Sequence, residues 1–76
     1  MKTNINTNFV IKQTVLSKLS DPVLVAKIVD ATGLGFPSIL RQISSNHKNL
    51  THYNVLFTIS EHLDIPINEL VEKSSL

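Results

Sequence analysis

A chain of 76 residues closes at most one hydrophobic core. It is 42% hydrophobic and 17% charged, with a net charge of +1 and no cysteine. That excludes a disordered polyelectrolyte, a disulfide scaffold, a thiolate metal site and the heavy basic loading of a sequence-blind polyanion binder.

Residues 1–8, MKTNINTN, carry no apolar periodicity and read as a flexible polar tail, leaving 9–76 as one domain. From Phe9 a helical spacing begins, with Ile11, Val15, Leu16 and Leu19 on one face and Asn8 placed to cap it. Ser20-Asp21-Pro22 is the strongest start signal in the chain, because Asp21 can cap a helix and Pro22 suits its first position. The segment Pro22 to Thr32 is apolar on most sides. Its β-branched run would also suit a strand, but eleven residues between proline and glycine favour a central helix. Gly33 stands where a left-handed cap is wanted, with Leu34 expected to fold back onto Ile28 or Val29.

A short helix over 37–45 follows, with Phe36, Ile39, Leu40 and Ile43 as its apolar positions. Residues 46–49 form a polar loop. A fourth helix, about 51–63, carries Tyr53, Leu56, Phe57, Ser60 and Leu63 on one stripe, with Leu56, Phe57 and Leu63 expected in the core. Ile65-Pro66 ends it, and residues 67–72 are expected as a last helix with Leu70 and Val71 inward. The expected fold class is therefore all-α: a compact domain of five short helices. No apolar run approaches a membrane span or a signal core, so a cytoplasmic protein is expected.

Residues 29–43, VDATGLGFPSILRQI, have the pattern of two helices joined by a tight glycine turn. On a helical wheel Phe36, Leu40 and Ile43 point inward, and Ser38, Arg41, Gln42 and Ser45 form the opposite stripe. That stripe holds the only arginine of the chain beside a glutamine. Arginine pairs bidentately with guanine and glutamine with adenine in the major groove. By composition alone the same stripe is simply the solvated side of a surface helix.

Residues 41–73, RQISSNHKNLTHYNVLFTISEHLDIPINELVEK, resemble the C-terminal half of the lambda repressor-like (Cro, XRE-type) helix-turn-helix DNA-binding domain. The resemblance is carried mainly by Ile59 to Leu70, where a helix ending in an Ile-Ala-x-x-Leu-like element, here Ile59-Ser60-Glu61-His62-Leu63, precedes a short Leu-bearing helix. It implies sequence-specific binding of double-stranded DNA by a small transcriptional regulator of repressor, controller or antitoxin kind, commonly a homodimer. On that resemblance Ser38, Arg41, Gln42 and Ser45 face bases, while Asn46, Lys48 and Asn49 fall in a loop that touches phosphates. Thr51 and His52 open the fourth helix, whose free N–H groups can also receive a phosphate.

Homodimerisation is expected through Ile65, Ile67, Val71 and Leu76, more apolar residues than a six-residue helix needs to anchor itself. Charge divides along the chain. Residues 1–60 hold five Lys and one Arg against Asp21 and Asp30, and residues 61–76 hold Lys73 against four acids. The acidic end leaves room for a second protein partner. The three histidines have no four-residue helical spacing and no cysteine beside them, so neither a metal nor a cofactor is expected. Neither a nucleophile elbow nor a glycine-rich phosphate loop is present, and catalysis is not expected. The alternative to DNA binding is a protein-interaction module on the same fold.

Overall fold

The computed structural model describes residues 9–73, a mostly helical globule with a small sheet. In chain order the elements are β1 (Phe9–Ile11), α1 (Gln13–Leu16), α2 (Pro22–Thr32) and α3 (Phe36–Ser45). A 3₁₀ turn (Lys48–Thr51), α4 (Tyr53–Leu63), a second 3₁₀ turn (Ile67–Glu69) and β2 (Val71–Lys73) complete it. The polar tail, the Asn8 cap and Leu76 lie outside the described residues.

Helix α2 has the expected bounds for the expected reasons. Asp21 accepts from the Val23 N–H at 3.1 Å, and Pro22 occupies the first turn without sacrificing a hydrogen bond. Gly33 ends the helix at φ 76°, a left-handed conformation that costs any side-chain-bearing residue energy. Leu24, Val25 and Ile28 are buried, and α2 packs chiefly against α4 and α3.

The two ends of the chain depart from the all-α, five-helix expectation. Among the described residues there are four α-helices: the first expected helix is cut to α1, its start taken by β1, and the last gives way to a 3₁₀ turn and β2. The two strands pair antiparallel, with Phe9 opposite Lys73, Val10 opposite Glu72 and Ile11 opposite Val71. The physical reason is local weakness. Phe9-Val10-Ile11 is β-prone, α1 is one turn without a side-chain cap, and the stretch after Pro66 is three residues of 3₁₀ helix. Each segment gains more from ladder hydrogen bonds with the other than from a marginal helix. The four-residue spacing still places Ile11, Val15 and Leu19 in the core, although Ile11 reaches it from a strand.

The core comprises Ile11, Val15, Leu19, Leu24, Val25, Ile28, Ile39, Leu50, Val55, Leu56, Ile59 and Leu70. Three expectations are corrected by it. Phe57 is 47% exposed, because α4 turns Val55, Leu56 and Ile59 inward; Phe57 stacks instead on exposed Tyr53 at a centroid distance of 6.1 Å. Leu63 is only partly buried. Leu34 does not fold back; it stays exposed, and Thr32 holds the turn by donating to the Ile28 carbonyl and accepting from the Leu34 N–H.

The start of α2 and the end of α4 are joined through His62. Its Nε2 lies 3.0 Å from an Asp21 carboxylate oxygen, and its Nδ1 lies 3.2 Å from Lys27 Nζ. Lysine has only donors, so Nδ1 accepts and the ring proton on Nε2 is given to Asp21. Among the described residues no single helix is long and apolar enough to cross a membrane.

Candidate nucleic-acid interface

The stretch that carries the site is α2, the turn Gly33–Gly35, and α3. Three residues turn the chain direction through 109°, within the range of about 90–120° for a helix-turn-helix. The angle follows from Gly33, whose N–H closes α2 on the Val29 carbonyl at 2.8 Å, and from Gly35, whose extended backbone opens α3. Pro37 then fixes the first turn of α3.

The phase of α3 differs from the expected one. Ile39 is fully buried and Ile43 partly so, whereas Phe36 is 44% and Leu40 47% exposed. The apolar positions 36, 39, 40 and 43 permit two helical phases, and α2 selects the one that seats Ile39. Arg41 therefore stands at the outer crest of α3. Ser38 and Ser45 lie to one side of it, Leu40 and Phe36 to the other.

Of the four base-facing candidates, the structure brings Ser38, Arg41, Gln42 and Ser45 together around one shallow hollow of about 360 Å³, joined there by His47. Their freedom differs. Arg41 is exposed, while Gln42 is half-buried between this hollow and a second one. Ser45 donates to the Arg41 carbonyl at 3.1 Å, which leaves its hydroxyl free only to accept.

The second hollow, about 180 Å³, lies between α3 and the start of α4 and includes Thr32, Gln42, Asn49, His52 and Asn54. Neither hollow is lined by a carboxylate. No side chain caps α4, and among the described residues only the N–H groups of Tyr53 and Asn54 in its first turn are left without a partner, beside exposed His52. Lys48 is exposed at the start of the 3₁₀ turn. Thr51 donates to the Lys48 carbonyl at 2.6 Å, and the Asn49 N–H is taken by His47 Nδ1 at 3.1 Å. Asn54, which the sequence did not single out, donates to the Ala31 carbonyl at 3.0 Å and ties α4 to the end of α2.

Asn46 is corrected from a phosphate contact to a structural residue. It caps α3 in the left-handed region at φ 49°, and its amide is committed at both ends to the backbone of Ile11. The expected dimer residues also sit differently. Ile65, Ile67 and Val71 are partly buried and packed on the core, and Leu76 lies outside the described residues. Among the described residues the exposed large apolar side chains are Phe9, Val23, Leu34, Phe36, Leu40, Tyr53 and Phe57. Among the described residues no group of three metal-ligating side chains is gathered.

Comparison with family models, with curated proteins and with solved structures finds no match to the chain.

Proposed function

We propose that this chain binds double-stranded DNA in a sequence-dependent manner, as a small transcriptional regulator of the lambda repressor-like kind, with α3 in the major groove. The observation that carries the reading is the 109° turn of three residues that presents Arg41 at the outer crest of α3. Arg41 is the residue for a guanine, with Gln42 reaching the groove from the flank and Ser38 and Ser45 keeping that side narrow. Lys48, His52 and the uncapped start of α4 supply the phosphate contacts that fix register. Thr51 gives its hydroxyl proton to this turn, while Asn49 stands beside the hollow with its side-chain amide available to the phosphate. The reading places the protein with the DNA, in the cytoplasm.

A two-turn recognition surface touches few base pairs, so the regulator acts as a homodimer on a two-fold site in this reading. The surface that supports pairing is the outer edge of β2 around Val71, with Ile65 and Ile67 backing it from the core side. The edge of β1 is already closed at Ile11 by Asn46, so among the described residues β2 offers the freer edge.

The second reading is a protein-interaction module. It is favoured by the exposed Tyr53–Phe57 stack on α4, with the acidic groups Glu61, Asp64, Glu69 and Glu72 near it in the chain. Selection of duplexes from a random pool separates the two. Enrichment of one motif is the result for a DNA reader, and an unenriched pool is the result for an interaction module.

A further inference from the structure

We infer that Leu40 reads the C5-methyl group of a thymine beside the guanine taken by Arg41. The inference rests on the DNA-binding reading of α3 and deepens it. Leu40 is large, apolar and 47% exposed, and it lies on the flank of α3 one helical step, about 100°, from the Arg41 crest. Phe36, one turn earlier on the same side, extends the apolar flank. The core does not use this side, because Ile39 and Ile43 occupy the inward phase.

If Arg41 enters the major groove, Leu40 is carried in with it and loses its water. The groove floor is a lattice of hydrogen-bond donors and acceptors, which a leucine cannot satisfy. Its one apolar feature is the thymine methyl. Desolvating Leu40 against a polar base edge costs energy, and against a methyl it gains the contact. The flank therefore discriminates for thymine, whereas the serine side of the helix makes no such demand. Adjacent Cα atoms lie about 3.8 Å apart, close to the rise of one base pair, so the thymine falls within about two base pairs of the guanine.

The test uses the full chain and the duplex enriched from a random pool. Each thymine is replaced in turn by deoxyuridine, which removes the methyl and nothing else. The expected result is one thymine, near the Arg41 guanine, at which wild-type affinity falls about fourfold, the worth of one buried methyl. In Leu40→Ala that dependence disappears, while Arg41→Ala retains it. An unchanged melting temperature for Leu40→Ala verifies that the variant is folded, as its exposure requires. An enriched site indifferent to every deoxyuridine, or a loss that persists in Leu40→Ala, overturns the assignment of Leu40 and leaves the DNA-binding reading standing. A pool with no enriched site overturns both.

Discussion

Asn46 grips the backbone of Ile11 with both ends of its amide. Its Nδ2 donates to the Ile11 carbonyl at 3.0 Å, and its Oδ1 accepts from the Ile11 N–H at 3.2 Å. A residue at the end of α3 thus takes the place of a neighbouring strand along β1, 35 positions earlier. The consequence is that the terminal sheet and α3 are fastened to each other.

Replacing this amide separates its two duties. Asn46→Gly keeps the left-handed cap and loses the grip on Ile11. It is expected to cost about 1–3 kcal/mol, the penalty for stranding a partly buried N–H and C=O. Asn46→Ala adds the strain of a left-handed alanine and should be worse by about 1 kcal/mol. Urea unfolding of both variants checks the order.

In the core the decisive comparison is between two neighbours on α4. Ile59 is fully buried, so Ile59→Ala should cost about 2–5 kcal/mol, a large part of the stability of so small a domain. Phe57, exposed against Tyr53, should lose no more than about 1 kcal/mol on change to alanine. Thermal melts of the pair would show the reverse order if α4 were rotated to the phase that buries Phe57.

Acid should loosen the tie between the start of α2 and the end of α4. The His62 ring N–H and the Val23 N–H both stabilise the Asp21 carboxylate, and they hold its pKa below the ordinary carboxylate value. A folded-state pKa below the unfolded one gives stability that is full above the unfolded value, about 3.9, and is lost as pH falls through the folded value. The stability gap between wild type and Asp21→Asn should therefore be constant near neutrality and close below about pH 4. The site is exposed, so added salt should shrink the gap. Denaturant melts across that range check the sign. A gap that widens on acidification would contradict the assignment.

How far the sequence could be read follows from the range of the interactions. Helix α2 was legible to the residue because Asp21, Pro22 and Gly33 write its start and stop within its own span. The phase of α3 was not, since Phe36 and Leu40 compete with Ile39 for the inward side and only the packing of α2 decides. The ends were illegible for a related reason. Nothing near Phe9 announces that its partner is Lys73, and a three-residue strand has no pattern strong enough to outvote a four-residue spacing. The grouping of Ser38, Arg41, Gln42 and Ser45 was legible because all four lie within two turns of one helix. The role of Asn46 was not, because it depends on a strand 35 residues away.

The measurement that bears most directly on the central claim compares Arg41→Ala with Lys48→Ala. Each is titrated, over a series of salt concentrations, against the enriched duplex and an unrelated one. Arg41→Ala should lose about 1–3 kcal/mol on the enriched duplex alone and relax the preference at one position. Lys48→Ala should weaken both duplexes alike and flatten the salt dependence by about one unit. Equal, sequence-blind losses from the two variants would contradict the assignment of α3 as the reading helix.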